Sequence, residues 1–168
     1  MTSPGVRRVA TPPRLLGAML VSSLIALLLP IAISPAASPP AHTIVDLVPS
    51  QGALPDLLRV QTGRARADEL RAFVYVHASW CGPCRHLERT LDREPQLQRA
   101  FRGVHVIRLD NEAWGDALPR AGLTRNSMPK FFELDENGRP TGRAIDGRAW
   151  NDGSAASMAA ALDPFFHR

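Results

Sequence analysis

Residues 41–168 read as one small α/β domain, and residues 1–40 as a leader in front of it. Three observations predict this. Phe73-Val74-Tyr75-Val76-His77-Ala78 is a nearly continuous apolar run rich in strand formers, the character of a strand buried on both faces. Apolar residues recur at helical spacing on either side of it, at Leu54, Leu57 and Leu58, at Leu87 and Leu91, and at Met158, Leu162 and Phe166. Between the last two groups lies a hairpin pattern, Phe131 to Leu134 and Arg143 to Ile145 around the turn residues Asp135-Glu136-Asn137-Gly138. Some 130 residues remain after the leader, an ordinary size for a single hydrophobic core.

The elements follow in order. Thr43 to Leu47 is expected as a first strand, and Leu54, Leu57 and Leu58 mark a helix after it. Phe73 to Ala78 is the central strand. A helix begins near the cysteines with Leu87 and Leu91 on its inner face, and Pro95 fits the first position of a further helix carrying Leu97 and Phe101. Val104 to Leu109 alternates as a strand. Pro140 in the second hairpin arm marks that arm as an edge, because proline cannot donate to a ladder. Asp152 is expected to cap a last helix that buries Met158, Leu162 and Phe166.

The leader has the three parts of an export signal. Arg7, Arg8 and Arg14 precede Leu15 to Ile33, an apolar stretch interrupted only by Gly17, Ser22, Ser23 and Pro30. Small residues and prolines follow from Ser34 to Pro40, the last five making a short extended linker. The stretch is long for a signal core and close to the ~20 residues that span a bilayer. It therefore reads either as a signal peptide or as an uncleaved anchor. Both readings put the domain outside the cytoplasm, soluble in the periplasm or held at the inner membrane, since positive charge stays inside. No cysteine follows the apolar core, so a lipid-modified N-terminal cysteine is excluded. Arg7-Arg8 matches a twin-arginine signal poorly.

Charge argues against nucleic acid. The net charge is +4 at pH 7, with a pI near 10. Three of those charges are Arg7, Arg8 and Arg14, which leaves +1 for the domain. Arg85, Glu88, Arg89, Asp92, Arg93 and Glu94 interleave the two signs, as a solvated helix does.

The only two cysteines, Cys81 and Cys84, stand two residues apart in Trp80-Cys81-Gly82-Pro83-Cys84. A disulfide across so short a loop would restrict the unfolded chain little. Half a zinc site would need a second ligand pair, and His42, His77, His86, His105 and His167 show no paired spacing. Inert buried thiols would need no Gly-Pro between them. Thiol redox chemistry fits best. At a helix start, unpaired N–H groups and the dipole favour a thiolate on the first cysteine. The second lies one turn on, facing the same way, where it can resolve a mixed disulfide.

Ala78-Ser79-Trp80-Cys81-Gly82-Pro83-Cys84-Arg85 resembles the active-site segment of the thioredoxin superfamily, and Ser127-Met128-Pro129-Lys130 resembles its cis-proline loop. The resemblance covers roughly residues 43–166. It implies a thioredoxin-like α/β fold, a central mixed sheet flanked by helices. It implies Cys81 as attacking thiolate and Cys84 as resolving thiol. Trp80, Gly82, Pro83, Met128 and Pro129 would be substrate-contacting, with no bound cofactor and no metal. Partners would be protein thiols and disulfides, plus a membrane electron donor, with membrane contact only through the N-terminal segment. Gly-Pro between the cysteines resembles the reducing thioredoxins, so a reductase is expected. Arg89 to Phe101 is also similar to the C-terminal periplasmic domain of transmembrane thiol–disulfide interchange proteins. The alternative is a metal-binding or chaperone module that holds a soft ion such as copper(I), with Met128 and His77 as extra ligands.

The chain departs from that pattern at Tyr75, where thioredoxin has a buried aspartate that helps deprotonate the resolving thiol. The step then falls to water or another group. Arg108 aligns with a family lysine and reads as a surface strand residue. His77 reads as a packing histidine, His86 as solvent-exposed or as electrostatic support for the thiolate. Trp114 and Trp150 read as core or rim aromatics.

Overall fold

The computed structural model describes residues 42–168. The expected leader, residues 1–40, lies outside the described residues. Among those described, no helix is long and apolar enough to cross a membrane.

The fold is thioredoxin-like. Five strands, β1 (His42–Leu47), β2 (Arg71–His77), β3 (Val104–Asp110), β4 (Lys130–Leu134) and β5 (Pro140–Asp146), form one sheet in the order β1-β3-β2-β4-β5. β3 runs parallel to β1 and β2, while β4 is antiparallel to both β2 and β5, so the sheet is mixed. β2 is central and Phe73 to Val76 are all buried, which explains why its sequence does not alternate. It begins two residues before the expected start and ends at His77. β5 is an edge strand opened by Pro140, as the proline required.

Two cores separate across the sheet. On one face, α1 (Leu54–Ala67) packs Leu54, Leu58 and Ala65 against Val74, Val76, Ile107 and Leu109. On the other, α2 (Gly82–Arg93), α3 (Pro95–Ala100) and α6 (Ala155–His167) enclose Phe73, Tyr75, Val104, Val106 and Phe131. Phe166 lies edge-on to Phe73, Phe101 and Phe131 at centroid distances of 4.8, 4.9 and 5.4 Å. Each such fully buried side chain is worth about 1.5–3 kcal/mol of transfer free energy. Both cysteines belong to this second core.

Two details differ from the sequence expectation, and the expected hairpin turn gains a reason for its glycine. Ser154, not Asp152, caps α6: its Oγ accepts from Ser157 N–H at 3.1 Å, and Asp152 Oδ1 instead accepts from the Ser154 N–H and hydroxyl at 2.9 and 2.8 Å. A serine closer to the helix start outcompetes the aspartate and is held by it. Two one-turn helices, α4 (Asn111–Trp114) and α5 (Ala117–Arg120), cross from β3 toward β4. They are too short to carry a periodic signal. In the hairpin turn, Gly138 has φ +76°, and a Cβ there would come within 2.6 Å of the Arg59 backbone nitrogen, so the turn is seated on α1.

Candidate functional site

The end of β2 delivers the chain through Ser79 and Trp80 into α2, and Cys81 is the residue that caps that helix. Its Sγ accepts from the Cys84 N–H at 3.2 Å, so one of the helix's unpaired donors already points at this sulfur. Cys81 and Cys84 are joined as a disulfide with S–S 2.05 Å. Cys81 keeps 4% of its surface and Cys84 none. Attack from outside can therefore reach only the first sulfur, while the second opens inward onto the core.

Gly82 and Pro83 are exposed in the first turn of α2, with proline where its missing N–H costs nothing. Trp80 is 62% exposed, an unusual position for an indole, and its Nε1 leans on Glu112 Oε1 at 3.4 Å. The Met128–Pro129 bond is cis. Met128 is half-buried against the core that holds both cysteines, and Pro129 is buried. Their loop is fixed from several sides. Gly147 N–H donates to Pro129 O at 3.0 Å, Ser127 Oγ to Asp146 Oδ2 at 2.7 Å, and the nearly buried Lys130 Nζ to Thr124 Oγ1 and Asn126 Oδ1 at 2.7 and 3.0 Å. Trp114 and Trp150 are buried, as expected of core aromatics. His86 is exposed, with Nε2 2.8 Å from Gly153 O.

A polar cluster beneath α2 has no counterpart in the sequence reading. Tyr75 O–H donates to Glu88 Oε1 at 3.3 Å. His77 Nδ1 lies 3.6 Å and Arg108 Nη1 3.9 Å from the same oxygen. Arg108 is half-buried rather than a surface strand residue, and its guanidinium forks onto both oxygens of Asp46, one contact at 2.7 Å. His77, expected as packing, stacks on Tyr75 and faces this carboxylate. Burial, with Glu88 adding to it, pushes the Tyr75 phenol well above its ordinary range. Burial holds His77 below its ordinary value against the pull of Glu88. The hydrogen bond from Arg108 holds Asp46 low. Glu88 sits one helical turn after Cys84 on the same face, so α2 places a carboxylate one turn from the second cysteine where Tyr75 leaves none on β2. The i, i+4 spacing of Cys84 and Glu88 was legible; that Tyr75 and Arg108 meet Glu88 was not.

Among the described residues no three His, Cys, Asp or Glu side chains converge as a metal site. His77 turns its Nδ1 to Glu88, so the soft-metal alternative gains no ligand from it there.

No protein-family model and no curated protein matches the chain. Solved structures similar to it are thioredoxins. That of Trypanosoma brucei brucei is 16% identical, covering 81% of this chain and 100% of its own, with TM-score 0.49. A point-mutant thioredoxin of Halobacterium salinarum is 17% identical over 80% of this chain and 98% of its own, with TM-score 0.47. The Trichomonas vaginalis protein is 20% identical over 74% and 97%, with TM-score 0.45. At these identities the strand order, the cysteine pair at the start of α2 and the cis-proline before β4 carry the fold assignment themselves. A close cysteine pair on this fold supports thiol–disulfide oxidoreductase chemistry in general.

Proposed function

We propose that this chain reduces disulfides of partner proteins outside the cytoplasm, cycling between the Cys81/Cys84 dithiol and its disulfide. The observation that carries the reading is the Cys84 N–H donated to the sulfur of Cys81 at the helix start, which stabilises a thiolate where a substrate can meet it. The Cys81 thiolate attacks one sulfur of a substrate disulfide, forming a mixed disulfide and releasing the other substrate sulfur as a thiolate. Cys84, deprotonated with Glu88 taking up the proton, then attacks Cys81 sulfur and frees the second thiolate. The substrate gains two electrons and the Cys81–Cys84 pair loses them. A dithiol donor, held at the membrane in this reading, returns them by the same exchange in reverse.

Trp80 supplies an exposed apolar contact beside the reacting sulfur, and the Met128 main chain offers an extended substrate its hydrogen bonds. Main-chain recognition ignores side-chain identity and so suits many partners. Export rests on the basic and apolar character of the leader, and the reducing direction on the Gly-Pro pair between the cysteines. An insulin-reduction assay with dithiothreitol tests the activity: turbidity should appear well before the uncatalysed control and vanish with Cys81→Ser. No acceleration by the intact protein would refute the proposal.

A further inference from the structure

Helix α2 gathers three arginines on its outer side, with Asp92 at their edge. At 100° per residue, Cys84, Leu87, Glu88 and Leu91 turn toward the sheet, while Arg85, Arg89 and Arg93 fall together on the opposite side. The buried cysteine and leucines and the three exposed arginines agree with that geometry. The stripe starts beside the disulfide and runs about 13 Å along the helix axis from Cys84, at 1.5 Å per residue.

None of these guanidinium groups is held in an ion pair among the described residues. Arg85 Nη1 donates at 2.6 Å to the carbonyl of Ser79, in the turn that leads into Cys81, so the guanidinium is held to that turn by a carbonyl rather than a carboxylate. Arg89 and Arg93 make no ion pair among the described residues, whereas Arg108, Arg125 and Arg148 are each paired with an aspartate. Glu88, next to Arg89 in sequence, is engaged by Tyr75, His77 and Arg108, while Asp92 and Glu94 stand exposed beside Arg93. Arg89 and Arg93 line an open cleft of about 450 Å³, with His86 and Thr90 beside them, Gly153 to Ala155 opposite and Glu94 at its end. Trp80, the residue before Cys81, leans on the carboxylate of Glu112.

We propose that the arginine face of α2 selects substrates whose disulfide is flanked by negative charge, drawing acidic segments of partner proteins along the helix to Cys81. This rests on the thiol–disulfide reading above and names its substrate class. Planar guanidinium forks match carboxylates, and charge beside a reactive group raises encounter rates by an amount that falls as salt screens it.

The test uses three small disulfides as probes: oxidised glutathione, with net negative charge, neutral hydroxyethyl disulfide and positively charged cystamine. Pre-reduced protein is mixed with each in excess, and each rate is divided by that of dithiothreitol with the same disulfide, which removes differences in intrinsic reactivity. The glutathione-to-cystamine ratio should be about five-fold or more at low ionic strength and should fall toward one near 0.5 M salt. In the double variant Arg89→Glu/Arg93→Glu the ratio should drop to one or below. Equal normalised rates for the three probes, a ratio indifferent to salt, or an unchanged ratio in the double variant would overturn the proposal while leaving the chemistry standing. Failure to reduce even the neutral disulfide would overturn the thiol–disulfide reading, and this proposal with it.

Discussion

Replacing Glu88 with glutamine separates two effects of opposite sign at the resolving thiol. Glutamine keeps the volume and can still accept from Tyr75, but it carries no charge and takes no proton. Loss of the charge alone would lower the pKa of Cys84. At about 6 Å, the spacing of side chains one turn apart, and an effective dielectric constant near 20, the Coulomb interaction is roughly 3 kcal/mol, or about two pKa units. Arg108, 3.9 Å from the same carboxylate oxygen, offsets much of that field, and the net shift should stay below about one unit, roughly tenfold. Loss of a positioned base costs 10²–10⁴-fold when contact is direct. Across one helical turn, relayed by a water, roughly a hundredfold is expected. The second effect wins, so resolution should slow by about one to two orders of magnitude. Single-turnover reaction of the reduced protein with 5,5′-dithiobis(2-nitrobenzoate) releases one coloured thiolate on attack and the other on resolution. The first phase should match the unmutated protein and the second should lag. Two unchanged phases, or a faster second one, would refute the assignment of Glu88 as proton acceptor.

Further expectations concern reactivity and stability. Iodoacetamide should modify Cys81 before Cys84 in the reduced protein and at a lower pH than an ordinary thiol, since Cys81 sits at the helix start and Cys84 is sealed in the core; first labelling at Cys84 would reverse their roles. Glu133 accepts from Arg143 at 2.8 Å, from Thr141 at 3.0 Å and from Arg71, and those arginines also hold the Phe165 and Phe166 carbonyls at the end of α6. Glu133→Ala should therefore cost about 1–3 kcal/mol in urea unfolding, and a loss below about 0.5 kcal/mol would show that the arginines re-pair with water. Burial lowers His42, His77 and His105, so between their native pKa values and about 6.5 the unfolded chain binds more protons than the native one. Stability should fall as pH drops from 7 to 5, and further below about pH 4 as Asp46 and Asp146, held low chiefly by hydrogen bonds from Arg108 and Arg148, are protonated. Equal urea midpoints at pH 7 and 5 would contradict this.

The parts legible from sequence are those whose signal is local. Phe73 to Ala78 announced a doubly buried strand, Leu87 and Leu91 an inner helix face, and Pro140 an edge, because each depends on neighbours within a few residues. The short turns α4 and α5 escaped for want of length, although Asp110, whose Oδ1 accepts from the Glu112 and Ala113 N–H groups at 2.9 Å, was a readable cap. Glu88 looked like one charge among several on a solvated helix. What distinguishes it is the meeting of Tyr75 on β2 and Arg108 on β3 beneath it, a contact set by sheet register, where Tyr75 pairs with Arg108. Ser154 and Asp152 show the same limit at smaller scale: both are good caps, and only the chain's path decides which one meets the helix.

The equilibrium of the Cys81–Cys84 pair with reduced and oxidised glutathione tests the reductase reading most directly. With Gly82-Pro83 between the cysteines, a potential near the roughly −270 mV of thioredoxin is expected, so that the protein stays largely oxidised in a glutathione buffer and gives up electrons readily once reduced. A potential near the −120 mV or so of strong disulfide-forming oxidants would contradict it.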